Sequence, residues 1–289
     1  MNYKLHRIIA FVVGGLLSLL PTSILRRFTG GSDSFKRGLC IANNPGDEAN
    51  AERFKPRMAR VSYTPERMGA FSKWANEQAV DFYVQCGQES NTDAQNAREI
   101  VDCERELDGL KKPRFYSLVN EANDYSYLRV NKTINLVHIK LGYLPVIVKG
   151  AHTAIDESAA MKKYVEYASK PMPELSMYQP HVIHMYFKPF DGSLDSRINN
   201  LLKKFYLTFM LVRLNSMGIP ACNIVIGETH DASKTRKGFP DHGDYVYSTK
   251  EGWEFIEKLC SKLGIDAACY YHAPFLGYEG NTVGQAKKL

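Results

Sequence analysis

The sequence predicts an α/β chain folded as a (β/α)8 barrel, on three observations. Eight short apolar or β-branched runs recur along the chain, most of them continuous in hydrophobicity rather than alternating, as strands covered on both faces are. Amphipathic segments separate the runs, so strand and helix alternate. The stretch that holds them is about 250 residues, the usual size of such a barrel. An open, doubly wound sheet is the alternative, and no glycine-rich phosphate loop follows the first run to support it.

The expected strands are, in order, "RGLCIA" (37–42), "ARVSY" (59–63), "VDFYVQC" (80–86), "RFYSLV" (114–119), "LPVIVKG" (144–150), "HVIHMYF" (181–187), "CNIVIG" (222–227) and "AACYY" (267–271). Helical patterns cover 65–79, 94–110, 129–142, 157–170, 196–218 and 250–264, several closing on a glycine where the chain must turn left-handed. Residues 43–56 are polar and interrupted by Pro and Gly, so no clear helix is marked after the first strand. The stretch 230–245 is long and polar and reads as a loop bordering the mouth of the barrel.

Ahead of the barrel, residues 1–27 carry Lys4 and Arg7, then thirteen apolar or small residues from Ile8 to Leu20, then Arg26-Arg27. That is a basic start followed by an apolar run of signal-peptide length, short of the ~20 residues that span a bilayer comfortably. A cleaved signal, an uncleaved anchor through residues 8–25, and a buried or amphipathic helix are the three readings. The first two put the domain outside the cytoplasm: secreted, periplasmic or membrane-anchored. Residues 28–36, with "GGSDS", are a linker by composition, and 37–289 form one domain without an internal break.

Composition is that of an ordinary globular protein, 44% hydrophobic and 24% charged, with a net charge of +6. Lys and Arg are scattered, so no nucleic-acid-binding stripe is expected. The six cysteines are dispersed without a CxxC or Cys/His cluster, which gives no structural zinc site. Several fall within apolar runs, as buried free thiols do. No cofactor and no metal are expected.

In a (β/α)8 barrel the chemistry belongs at the C-terminal ends of the strands. Those ends carry Arg60 on the second, Asn120-Glu121 after the fourth, His184 and Tyr186 on the sixth, Glu228 after the seventh, and Tyr270-Tyr271 on the eighth. Residue by residue, other readings exist. Asn120 suits a helix cap and Glu121 a first helical turn. His184 and Tyr186 alternate along a strand, so both face the interior together. Arg60, if buried, needs a partner, and a carboxylate is the obvious one. Taken together, two glutamates across a barrel mouth match what retaining glycoside hydrolysis requires: one protonated acid and one ionised nucleophile about 5–5.5 Å apart.

The order of these motifs resembles the clan A glycoside hydrolases, which include the family 5 cellulases and mannanases. The resemblance covers roughly residues 35–275 as short motifs rather than continuous similarity. It implies acid/base catalysis by Glu121 in "VNEAND" and nucleophilic attack by Glu228 in "IGETHD". Arg60, Asn120, His184 and Tyr186 would bind substrate or hold the nucleophile, and the substrate would be a β-linked polysaccharide or oligosaccharide. Asn-Glu-Ala stands where the clan has Asn-Glu-Pro. Tyr270 or Tyr271 would stand for the tryptophan that usually ends strand eight.

Two other functions compete with this one. "CIANN", "QCGQES", "VIHMYF" and "YYHAPF" loosely resemble the Mg-dependent endonuclease/exonuclease/phosphatase superfamily, which would use Asn44, Glu89, His184 and His272. That reading fails at its most specific motifs and leaves Asn120-Glu121 unexplained. The other is a barrel that binds a glycan without cleaving it.

Overall fold

The structure, a computed structural model of the chain, describes residues 3–41, 43, 47–120, 126–150, 180–188, 190, 192–231, 234–239, 243–247 and 250–270. The strands are β1 Lys36–Ile41, β2 Met58–Ser62, β3 Asp81–Cys86, β4 Tyr116–Leu118, β5 Ile147–Lys149, β6 His181–Phe187, β7 Ile224–Asp231, β8 Lys234–Phe239, β9 Gly243–Tyr247 and β10 Ala267–Tyr270. The helices are α1 Tyr3–Ser18, α2 Thr22–Thr29, α3 Asp47–Phe54, α4 Met68–Glu77, α5 Asp93–Glu106, α6 Tyr127–Leu141, α7 Leu194–Ser216 and α8 Lys250–Leu263.

Eight strands form one parallel sheet in the order β5-β4-β3-β2-β1-β10-β7-β6. Neighbours are consecutive along the chain, and the last strand of the eight pairs with the first. That is the cyclic order of a (β/α)8 barrel, and among the described residues its hydrogen bonding is open between β5 and β6. A doubly wound sheet would instead reverse its order at a switch point, so that alternative is set aside. Strand parity separates two cores. Cys40, Met58, Tyr83, Val148, Val182, Val225 and Ala267, one from each of seven strands, join Phe115 just before β4 in an interior cluster. Residues of opposite parity, such as Ile41, Val61, Phe82, Ile183 and Ile226, pack outward among helix side chains.

The helices start and stop where their sequences say. Thr92 caps α5 in a capping box with Gln95, Ser126 caps α6 and Ser193 caps α7, each such cap contributing about 1 kcal/mol. α3 was not expected. Pro45-Gly46 and Pro56 frame it rather than break it, and Asp47 and Glu48 sit in its first turn, where the helix dipole favours them. The polar stretch 230–245 is also not a plain loop. It continues β7 to Asp231 and builds most of the antiparallel β8–β9 hairpin. The helix expected at 157–170 lies outside the described residues.

The N-terminal segment folds back on the barrel. Phe11 of α1 packs edge-on against Tyr206 of α7 at 4.3 Å. Gly14 meets α7 so closely that a Cβ there would stand 2.0 Å from the Phe205 carbonyl oxygen. α2 is tied to α8 by Arg26, which donates to the Ser261 carbonyl, and by Thr29, which donates to that of Leu263. Among the described residues, no helix is long and apolar enough to cross a membrane. None of the six cysteines is in a disulfide; all but Cys222 are buried.

Candidate active site

The C-terminal ends of β2, β4, β6 and β7 bring five of the expected residues together. Glu228 is the centre. Its Oε1 accepts from Arg60 Nη1, and its Oε2 accepts from the Tyr186 hydroxyl. His184 Nδ1 stands 3.7 Å from the same Oε2. Arg60 Nη2 also donates to Asn120 Oδ1 at 3.0 Å, so one guanidinium bridges the ends of β4 and β7. Arg60 is 4% exposed and Glu228 7%; Asn120, by contrast, is exposed at the rim.

Each side chain arrives by backbone geometry. On β2, Met58 and Arg60 share the inward parity; on β6, Val182, His184 and Tyr186 do, while Ile183, Met185 and Phe187 face the helices. Strict alternation would send Glu228 outward, since Val225 faces in and Ile226 out. A β-bulge prevents this. Ile183 pairs with Ile226 but His184 pairs with Glu228, and on the other side Ala268 pairs with Ile226 but Tyr270 with Thr229. Both neighbours therefore see one extra residue in β7, which re-aims the side chain that follows. The residue is Gly227, where a Cβ would lie 2.6 Å from Val182 Cγ1 and 2.8 Å from the Tyr83 hydroxyl. Only glycine fits.

The end of β4 is also held in an unusual shape. Val119 adopts a φ of 67°, an uncommon conformation for a β-branched residue and one found where surrounding structure enforces it. Its N–H donates to the Cys86 carbonyl at 2.8 Å. A Cβ on Gly150 would stand 1.5 Å from the Val119 carbonyl oxygen, so glycine after β5 makes room for the turn that delivers Asn120.

Electrostatics give Glu228 a defined charge. Burial by itself would raise its pKa. The charges of Arg60 and His184 and the hydrogen bonds from Tyr186 and Arg60 outweigh that, and hold the carboxyl at about 2. It is a buried carboxylate that stays ionised. Beneath it, Cys40 lies 3.8 Å from Arg60 Nη1 and donates to the Gly227 carbonyl. Burial pushes this thiol up to about 12 against the pull of Arg60, so it is a neutral packing group, not a nucleophile.

Tyr270 does not join the site. Its parity points it out of the barrel, fully buried beside the rings of Trp253 at 5.3 Å and Phe54 at 6.1 Å. A residue in that position packs the sheet against α3 and α8 and does not meet a substrate. Glu121, Tyr271, Asn44 and His272 lie outside the described residues. Glu89 is exposed, and its carbonyl accepts from Arg129. Among the described residues, no group of three His, Cys, Asp or Glu side chains is placed to hold a metal ion. Sequence reasoning missed Gly227, Val119 and Gly150; the glycine immediately before Glu228 was the one visible signal.

No family model matches the chain, and no curated protein does. Among solved structures, the chain is similar to a GH5-4 broad specificity endoglucanase from Clostridium longisporum. That likeness has 10% identity, 86% coverage of each chain and a TM-score of 0.47. It is also similar to an HpcH/HpaI aldolase from Desulfitobacterium hafniense DCB-2, at 14% identity, with 84% of this chain and 88% of the other covered and a TM-score of 0.38. At these scores and identities neither likeness assigns an activity, and the site is left to its own residues.

Proposed function

We propose that the chain is a retaining glycoside hydrolase acting on a β-linked polysaccharide or oligosaccharide. Glu228 is the nucleophile and Glu121 the acid/base. The observation that carries the reading is the state of Glu228: a buried carboxylate at the end of a barrel strand, kept ionised by Arg60 and oriented through its second oxygen by Tyr186. Any buried carboxylate needs such donors, and Glu104, away from the barrel mouth, has them on both oxygens too. What suits Glu228 to be a nucleophile is its place at the C-terminal end of a barrel strand, where charge and a fixed lone pair serve the bond to the anomeric carbon.

In the first step a Glu228 oxygen attacks the anomeric carbon and the bond to the leaving oxygen breaks. Glu121 gives its proton to that oxygen. In the second step Glu121 takes a proton from water, whose oxygen attacks the same carbon and releases Glu228. Asn120, joined to Arg60, faces the rim where a sugar hydroxyl arrives. On this reading the domain works outside the cytoplasm, where polymeric glycans are met.

The test is turnover of 2,4-dinitrophenyl β-glycosides of several sugars by the wild type, Glu228→Gln and Glu121→Gln. Loss of Glu228 should abolish turnover of every substrate the wild type accepts. Loss of Glu121 should spare the first step with this activated leaving group, which needs no proton, and slow natural glycans by about 10²–10⁴-fold. Wild-type inertness toward all of them, or an active Glu228→Gln, would overturn the reading.

A further inference from the structure

The N-terminal helices carry a surface that the proposed chemistry does not use. α1 buries Ala10, Gly14 and Ser18 against the barrel. A surface helix ordinarily presents polar residues on its opposite face. Here that face is apolar: Ile8, Val12 and Leu16 are 59%, 57% and 64% exposed, and Leu19 just beyond the helix is 79% exposed. Ile24 and Phe28 extend it onto α2, and on α7 the exposed Leu194, Ile198 and Leu201 lie on the same stripe as Phe205, which meets α1. Exposed apolar side chains gathered on packed helices in this way mark an interaction site. At 16 residues α1 is about 24 Å long, too short to span a bilayer but long enough to lie along one.

Beside this face, at the N-terminal ends of β1 and β2, opens a cleft of about 710 Å³. Arg26, Arg37, Lys55, Arg57, Lys258 and Lys262 line it, and Glu257 is the one carboxylate among the described residues of its lining. Glu257 is already engaged by Arg37, which lies flat over Trp253 at 4.3 Å. Among the described residues Lys55, Arg57 and Lys258 form no ion pair, and all three are exposed. The cleft and the apolar face share one corner. Lys262 donates to the carbonyl of Ser18, the residue before Leu19, and Thr22 and Arg26, which line the cleft, flank Ile24.

We propose that this corner is a membrane-docking face: the cleft takes the phosphates of anionic phospholipids, and α1 and α2 lie in the plane of the interface. Apolar side chains beside a cluster of unpaired cations are the pairing that interfacial binding needs, since burial of the apolar face and attraction to anionic lipid add. With Arg26 paired to Asp33 and Arg37 to Glu257, a protein partner would still meet four uncompensated cations in the cleft, whereas an anionic leaflet supplies the charges that complement them. The cleft and Glu228 lie at opposite ends of the strands, so docking leaves the candidate active site open. The inference does not depend on the reaction assigned to that site.

The test is co-sedimentation of the full chain with vesicles of phosphatidylcholine alone and of phosphatidylcholine with phosphatidylglycerol. The variants are Lys55→Ala/Arg57→Ala/Lys258→Ala and Leu16→Asn/Leu19→Asn/Ile24→Asn, all at exposed positions; circular dichroism checks that each remains folded. The wild type should bind the anionic vesicles at least tenfold more tightly. The charge variant should lose on the order of a hundredfold, about fivefold per cation, and the apolar variant at least tenfold. Added salt should weaken binding. Failure to bind anionic vesicles, wild-type binding by either variant, or full displacement by millimolar inorganic phosphate would overturn it; the last would make the cleft a site for free phosphate.

Discussion

Replacing Arg60 by methionine removes the charge facing Glu228 while keeping an unbranched side chain in the barrel interior. In the wild type the Glu228 carboxyl is lowered from an ordinary 4.5 to about 2. A group whose folded pKa is depressed stabilises the fold above its unfolded pKa, and that stabilisation is lost as pH falls through the folded value. The contribution at pH 7 is about 3 kcal/mol, of which about 2 kcal/mol is gone by pH 3. Without Arg60 the same carboxylate is buried with only Tyr186 and His184 beside it, and its pKa rises. Arg60→Met should therefore destabilise the protein by roughly 3–5 kcal/mol at pH 7. By pH 3, where Glu228 of the variant takes up a proton, the gap to wild type should narrow by about 2 kcal/mol. Urea unfolding at the two pH values measures both gaps, and Glu228→Gln serves as the control in which the narrowing disappears. Equal destabilisation at pH 7 and pH 3 would refute the assignment of the stabilisation to the ionised Glu228.

Three further outcomes follow from the same geometry. Tyr186→Phe removes the donor to Glu228 Oε2 and should lower kcat/KM with stability reduced by about 1.5–3 kcal/mol; an unchanged rate would show that the second oxygen needs no orientation. Gly227→Ala places a methyl group 2.6 Å from Val182 and should destabilise by about 1–3 kcal/mol, read by urea unfolding, while misdirecting Glu228. The pH profile of kcat/KM should lack an acid limb near 4.5, since Glu228 remains ionised down to about 2. An acid limb near 4.5 in the wild-type profile would contradict the depressed pKa.

The strands were legible because each is a short apolar run bounded by turn residues, and their order followed from alternation with helices. What periodicity did not reach was local. Pro and Gly near residues 45–56 read as breakers, although they frame α3. Tyr270 read as a mouth residue because it ends a strand, whereas its parity, set by Cys269 facing inward, commits it to the helix side. Glu228 is the instructive case. The structure sets it beside Arg60, His184 and Tyr186, although simple alternation from Val225 would have turned it outward. The bulge at Gly227 that corrects this depends on how β6 and β10 pair with β7, and that register is a property of three strands rather than one. Asn120 likewise reaches Arg60 through a left-handed Val119 that depends on the absence of a side chain at Gly150. Such long-range steric fits leave little trace in a single sequence beyond the glycines themselves.

The most direct measurement is covalent trapping. A 2-deoxy-2-fluoro β-glycoside with a dinitrophenolate leaving group slows both steps, the second more, so the glycosyl-enzyme accumulates and peptide mapping locates the bond. The account predicts one equivalent of label on the Glu228 carboxylate, lost when the enzyme turns over and absent from Glu228→Gln. Label on another residue, or turnover of the unmodified glycoside with inverted anomeric configuration and no label, would contradict it.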